Sequence, residues 1–131
     1  MKLTHATSYG IHAIVHIAGN KAGTPQASHD IAKAHKIPER FLLKILKPMV
    51  SAGLLHSVKG PHGGYRLAKP AGQISLLDVI EAVEGPIRGR LAFNAGGADA
   101  AVHKKLEAIC EDAAGKTKKI LQGVKLSQLA G

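Results

Sequence analysis

The strongest indication of the fold lies in residues 57–67, which read Ser57-Val58-Lys59-Gly60-Pro61-His62-Gly63-Gly64-Tyr65-Arg66-Leu67. Its centre, residues 60–64, combines three glycines with one proline, a composition typical of a turn. Two short segments, residues 54–59 and 65–68, flank this turn and are predicted to be strands. The sequence therefore predicts a β-hairpin whose long tip carries Lys59, His62 and Arg66.

Three helices are predicted before the hairpin. Apolar residues spaced by three and four predict the first over residues 4–20. Ser28 is a suitable N-cap for a short second helix over residues 28–35, and a third follows over residues 39–52. Pro48 should kink or loosen the third helix, because proline lacks the N–H of the helical ladder. The side chains expected to point inward from this helix are Phe41, Leu42, Ile45, Leu46 and Met49.

Two further helices are predicted after the hairpin. Ser75 is suited to cap a helix over residues 76–83. Residues 87–97 have the composition of a loop, and a long helix follows over residues 99–121. The apolar residues of the long helix alternate at spacings of four and three, with Lys116 interrupting, which suits a partner helix, although packing on its own domain is the alternative. This seam consists of Val102, Leu106, Ile109, Ala113 and Ile120.

These elements predict a mainly α fold with a small β-hairpin, a winged helix-turn-helix domain plus a long dimerisation helix. The order helix, helix, turn, helix, hairpin is the one that a winged helix-turn-helix needs, because its third helix reads the major groove. The predicted DNA-binding domain spans residues 1–86 and is followed by a loop over residues 87–98. A dimerisation helix and C-terminal tail occupy residues 99–131, and a homodimer is expected.

Basic residues are concentrated on the third helix and the hairpin. The formal net charge is +9 at pH 7, and residues 31–69 carry eight Lys or Arg against one acid. This distribution predicts double-stranded DNA as the partner, with Arg40 able to fork to guanine and lysines able to neutralise phosphates. A basic dimeric protein-interaction module is the alternative. The candidate DNA-binding residues are Glu39, Arg40, Leu43, Lys44, Lys47, Lys59, His62 and Arg66.

The sequence disfavours several other classes of protein. No phosphate-binding glycine motif precedes a helix, and no small-molecule substrate is evident, so an enzyme is not expected. His12 and His16 are spaced i,i+4 without a third ligand, and they are expected to flank the core face of their helix rather than bind a metal. With no signal peptide, no membrane-spanning run and one cysteine, a cytoplasmic protein without membrane contact is expected.

Motifs along nearly the whole chain match one family. The most specific is the hairpin stretch, residues 57–67, and the others are Met1-Lys2-Leu3-Thr4 with Tyr9, Asp30-Ile31-Ala32, Ile37-Pro38 with Phe41-Leu42, Gly53-Leu54, and Glu84-Gly85-Pro86. By these motifs the chain resembles the Rrf2 family of IscR-, NsrR- and CymR-type transcription regulators. The resemblance implies homodimers that bind partly palindromic promoter sites. It also implies control of iron–sulfur assembly, of nitric oxide or redox stress, or of cysteine metabolism.

Many members of that family hold an iron–sulfur cluster with three cysteines in the loop before the long helix. Such clusters need thiolates, and this chain has none there. Either the chain belongs to a cluster-free branch, or alanines replace native cysteines; as written, it is expected to bind no cofactor. His103 is expected to be a surface histidine, and Cys110 a small buried residue. The alanines that stand about where ligands would be expected are Ala92, Ala98, and Ala100 or Ala101.

Overall fold

The structure, a computed structural model, describes residues 1–21, 23–89 and 99–130. Within these ranges lie six α-helices, one 3₁₀ turn and one antiparallel hairpin, and no helix among them is long and apolar enough to span a membrane. The predicted mainly α fold with a small hairpin is confirmed. The elements in chain order are α1 His5–Ala18, α2 Ser28–His35, α3 Glu39–Ser51, β1 Leu55–Val58, β2 Gly64–Leu67, the 3₁₀ turn Ala71–Gln73, α4 Leu76–Glu84, α5 Ala100–Gln122 and α6 Leu126–Ala130.

Local sequence explains where α1 and α4 begin. Thr4 caps α1, since its Oγ1 accepts a hydrogen bond from Thr7 N at 3.1 Å. Ser75 caps α4 in a reciprocal pair with Asp78: each side chain accepts from the other residue's backbone N–H, at 3.0 and 2.9 Å. These bonds satisfy N–H groups that the start of a helix leaves unpaired. The predicted cap at Ser75 is confirmed.

Two predictions about the early helices are wrong. Ser28 does not cap α2, because Ala27 holds that position and the Ser28 hydroxyl donates instead to Glu39. Phe41 does not point into the core and is 39% exposed, because it lies at the edge of the apolar stripe of α3. Its ring packs edge-on against Tyr9, with the ring centroids 5.8 Å apart. α3 itself continues through its internal proline to Ser51.

The core forms around α1, which contacts α2, α3, α4, α6 and β2. Leu126 of α6 is fully buried in this core. Backbone hydrogen bonds from Leu76 N to Val124 O (2.8 Å) and from Leu126 N to Ile74 O (3.0 Å) tie the end of the chain to the start of α4. The C-terminal end of α5 is therefore anchored beside the N-terminal core. The division of the chain at residues 86 and 99 stays a prediction.

The hairpin is anchored on the loop between α1 and α2. β1 and β2 pair in antiparallel register, with Val58 opposite Gly64. Tyr65 and Gln26 exchange two backbone hydrogen bonds of 2.8 Å each. Gly64 has a φ of +145°, and a Cβ there would collide with the backbone of Gln26; a Cβ at Gly63 would collide with Val58 O. Close backbone approach therefore requires both glycines.

Candidate nucleic-acid interface

α3 has one side in the core and the other in solvent. Its inward side chains are Leu42, Ile45, Leu46 and Met49, each 3% exposed or less. The outward side, called here the α3 face, consists of Glu39, Arg40, Leu43, Lys44 and Lys47, all of them exposed. The spacing of three and four places these five side chains on adjacent turns. The structure thereby brings together all five α3 residues that the sequence predicted as DNA contacts.

The turn before α3 fixes how this face is presented. The C-cap of α2 is Lys36, whose φ of 54° and ψ of 43° lie in the left-handed region. Ile37 N donates to Ala32 O at 2.9 Å, and the Ile37 side chain is 4% exposed, so the turn is held in the core. Pro38 then occupies the N-cap position of α3. Two packed helices joined by such a tight turn form a helix-turn-helix.

Glu39 joins the beginnings of α2 and α3. Ser28 Oγ donates to Glu39 Oε1 at 3.2 Å, and His29 Nδ1 lies 3.4 Å from Glu39 Oε2. In the described ranges, no carboxylate forms an ion pair with any of the three cations of the α3 face. Those cations are therefore available to phosphates and bases, whereas the Glu39 carboxylate is already engaged within the protein.

The hairpin, called here the wing, carries its basic groups at two positions. Lys59 and His62 are exposed at the tip. Arg66 does not lie at the tip, contrary to the sequence prediction, but is half-buried on β2 opposite His56. The reason is that β2 already begins at Gly64, so the strand carries Arg66 back toward the body of the protein.

Arg66 lines a cleft of about 320 Å³ between β2 and the end of α1. Lys21 and Lys69 also line this cleft, and none of its described lining residues is acidic. Lys21 lies outside the basic run of residues 31–69 and is not among the predicted DNA contacts. The pairing of Tyr65 with Gln26 is what brings the α1–α2 loop beside β2. The charge sign alone could have marked Lys21 and Lys69, but no sequence signal gives their proximity to Arg66.

α5 packs on the domain through residues outside its apolar stripe and leaves the stripe exposed. It contacts α4, Lys118 Nζ lies 3.8 Å from Glu81 Oε2, and Gly89 lies so close to the backbone of Cys110 that a Cβ would collide with it. Large exposed apolar groups are unusual on a helix of a lone protomer. The exposed fractions are 57% for Val102, 45% for Leu106, 64% for Ile109 and 69% for Ile120, and Ala113 is also exposed.

The donor groups of this chain do not fit an iron–sulfur cluster. Its one cysteine, Cys110, is half-buried within α5. The described ranges contain no group of three His, Cys, Asp or Glu side chains placed to hold a metal ion. Residues 90–98, with most of the predicted loop, lie outside those ranges and contain no cysteine or histidine. His103 is buried, not at the surface as predicted, and its Nε2 lies 3.8 Å from Glu107 Oε2.

Glu84 ties the N-terminal segment to the end of α4. Its Oε1 accepts hydrogen bonds from Thr7 Oγ1 at 2.6 Å, from Thr4 Oγ1 at 3.0 Å and from Thr4 N at 3.3 Å. The Thr7 hydroxyl holds the pKa of Glu84 below its ordinary value, the Thr4 bonds act in the same direction, and partial burial opposes them. The Lys-Leu-Thr and Glu-Gly-Pro motifs therefore meet at one carboxylate.

The fold and this interface define a winged helix-turn-helix regulator. The family model for Rrf2, described as an iron-dependent transcriptional regulator, matches residues 3–131. The chain therefore belongs to the Rrf2 family. It is 35% identical over 139 residues to protein aau3 of Rhizobium meliloti, a match covering 98% of this chain and 84% of aau3. In four further curated relatives, CymR of Bacillus subtilis among them, the match spans 54 to 63% of the relative's length.

Solved structures agree with this membership. CymR, the global cysteine regulator of B. subtilis, superposes with a TM-score of 0.79 at 25% identity, covering 99% of this chain and 96% of CymR. IscR of T. potens superposes with a TM-score of 0.75 at 26% identity, covering 98% and 85%. The chain is a transcription regulator similar to CymR, and the predicted winged helix-turn-helix is confirmed. The family and the relatives named as HTH-type regulators are not enzymes.

Proposed function

We propose that this chain is a homodimeric, sequence-specific regulator that places the α3 face in the major groove of promoter DNA and the wing along the adjacent backbone and minor groove. The observation that carries the proposal is the α3 face, where three cations without carboxylate partners lie opposite a fully packed apolar side. Such a face can approach DNA without breaking internal ion pairs. Neutralised phosphates release counterions, so binding should weaken steeply with salt.

Each group of residues has a distinct part in this proposal. Arg40 is suited to fork to guanine O6 and N7, and Leu43 can contact a thymine methyl. Lys44 and Lys47 neutralise phosphates, and the wing adds Lys59 and His62. The cleft with Arg66, Lys21 and Lys69 supplies a further anion-binding edge. Glu39 orients α3 on α2 and, through its position at the helix start, limits which base edges Arg40 can reach.

The dimer is proposed on the exposed stripe of α5. Pairing two copies would remove from water the apolar side chains that one protomer leaves exposed, from Val102 to Ile120. Their spacing suits antiparallel or parallel helix packing across a two-fold axis. A two-fold protein then matches half-sites about 34 Å apart on one side of the duplex.

The regulator is proposed to work in the cytoplasm and without an iron–sulfur cluster, since one thiol cannot supply the ligands of a cluster. Anaerobic reconstitution with iron and sulfide, followed by a visible spectrum, tests this directly. A stoichiometric brown product with charge-transfer absorption would contradict the proposal.

Fluorescence anisotropy with labelled promoter fragments tests DNA binding, after a gel-shift screen has found a site. Arg40→Ala should weaken the free energy of DNA binding by roughly 1–3 kcal/mol and relax base preference at one position of each half-site. Lys44→Ala should weaken binding to all sequences alike and reduce the salt slope by about 0.9. Lys104→Ala is the matched control, because it removes one exposed cation from α5 and leaves the α3 face intact. Unchanged binding by the triple variant Arg40→Ala, Lys59→Ala, Arg66→Ala would refute the assigned surface.

A further inference from the structure

Two histidines from different helices meet where α1 crosses the end of α2. His16 Nδ1 lies 2.9 Å from His35 Nε2, and the two rings are perpendicular with centroids 5.0 Å apart. His12, one turn earlier on α1, stands with its ring centroid 6.0 Å from that of His35. His16 and His35 are half-buried, and His12 is exposed. The i,i+4 spacing predicts a common helix face for His12 and His16, but no sequence pattern marks His35 as their neighbour.

The hydrogen bond between His16 and His35 can persist when one of the two neutral rings gains a proton, but not when both do. In a hydrogen bond between imidazoles, one ring donates an N–H and the other accepts through a bare nitrogen. When both rings are protonated, no acceptor remains and two positive charges face each other across 2.9 Å. Among the described residues, no carboxylate pairs with any of the three histidines. The doubly protonated pair therefore has no compensating charge and must separate.

The surroundings oppose protonation as well. Burial lowers the pKa of His35, and the neighbouring His16 and then His12 lower it further. From α1, Tyr9 and His12 face His35 across a cleft that Ser8 and Ile37 also line. Lys36 follows His35 directly in the chain. The charged or titratable groups around His35, namely Tyr9, His12, His16 and Lys36, are therefore all neutral or positive. A folded-state pKa below the unfolded value of 6.5 means stability that is complete above about pH 6.5 and lost as pH falls through the folded value.

We propose that the His16–His35 contact is a proton-sensitive joint that positions the helix-turn-helix: it holds α2 against α1 at neutral pH, and acid opens it and weakens DNA binding. The inference rests on the proposed function. His35 closes α2, and the next residues, Lys36 and Ile37, form the turn into α3. Movement of the end of α2 therefore displaces the α3 face. His35 is a positioning residue that need not touch DNA.

The sign of the pH effect separates this joint from ordinary electrostatics. The chain has eight histidines, so acidification makes it more positive and should by itself strengthen binding to a polyanion. The joint has the opposite effect. At fixed salt, affinity for the promoter site should fall about fivefold or more between about pH 7.5 and about pH 5.5, as expected for the loss of one partly buried hydrogen bond with added repulsion.

His35→Gln is the decisive variant, since a glutamine can keep a hydrogen bond to His16 but cannot titrate. It should bind within about twofold of the parent at neutral pH and lose the acid-induced weakening. His12→Gln, on the same cluster without the hydrogen bond, is the matched control and should retain most of the weakening. Equal or tighter binding by the parent in acid, or a full acid loss in His35→Gln, would overturn the proposal.

A second measurement keeps the test independent of DNA. In a nitrogen-15 NMR titration of the parent protein, His35 should titrate below pH 6.5. Titration of His35 at or above that value overturns the joint even if DNA binding is found. If no promoter site binds, this titration still decides on the joint while the proposed function fails alone. One equivalent of Zn²⁺ could instead raise the unfolding midpoint and abolish the titration of His35. That result would make the three histidines a metal site and would also overturn the proposal.

Discussion

Gly64→Ala should detach the wing from the body of the protein. At a φ of +145°, an alanine lies in a region that L side chains rarely adopt, at a cost of roughly 1–2 kcal/mol. The new Cβ would also collide with the backbone of Gln26, which cannot yield without breaking the two 2.8 Å hydrogen bonds between Gln26 and Tyr65. At about 1 kcal/mol for each bond, the free energy of unfolding should fall by roughly 3 kcal/mol.

Thermal unfolding followed by circular dichroism measures this loss. For a chain of this length, 3 kcal/mol corresponds to a fall in the unfolding midpoint of about 10 °C. Gly60→Ala is the matched control, since Gly60 also has positive φ, +107°, but a Cβ there meets nothing within 4 Å. That variant carries only the conformational cost of roughly 1–2 kcal/mol and should lose about 3–7 °C. Midpoints for the two variants within about 2 °C of each other would refute the argument from close backbone approach.

Three other changes test separate parts of the structure. Thr7→Val removes the hydroxyl that donates to Glu84 and should lower the free energy of unfolding by about 1 kcal/mol at neutral pH. Because the Thr7 bond lowers the pKa of Glu84, the variant should also lose less stability than the parent as pH falls below 4.5, as measured by unfolding at several pH values. Leu106→Glu with Ile109→Glu places two charges on the α5 stripe and should halve the mass seen by light scattering at micromolar concentration; a parent that already has the mass of one protomer would contradict the dimer. Mild peroxide should leave the DNA affinity of both the parent and Cys110→Ser unchanged, because a half-buried thiol within a helix is expected to have a structural role. Loss of DNA binding after peroxide in the parent but not in Cys110→Ser would make Cys110 a redox sensor.

The periodic pattern of α5 predicts which residues share a side of the helix but not what covers that side. The spacing from Val102 to Ile120 predicted a long helix with one apolar side, and α5 has that side exposed. The same spacing cannot say whether a stripe packs on its own domain or on another copy. That depends on which side of α5 meets α4, and Gly89 and Glu81 decide it through contacts with Cys110 and Lys118, which lie outside the stripe.

Sequence was sufficient to predict the order of helices and hairpin, the cap at Ser75 and the outward side of α3. Each of these depends on residues a few positions apart, whose spacing fixes a turn, a cap or a helix face without reference to the rest of the chain. Only the packing of the whole chain places Arg66 and Lys21 along one cleft and brings His35 against His16. Such pairs are distant in sequence, and they become neighbours only because α1 packs at the centre of the core, a result of the combined burial of many side chains rather than of any local pattern.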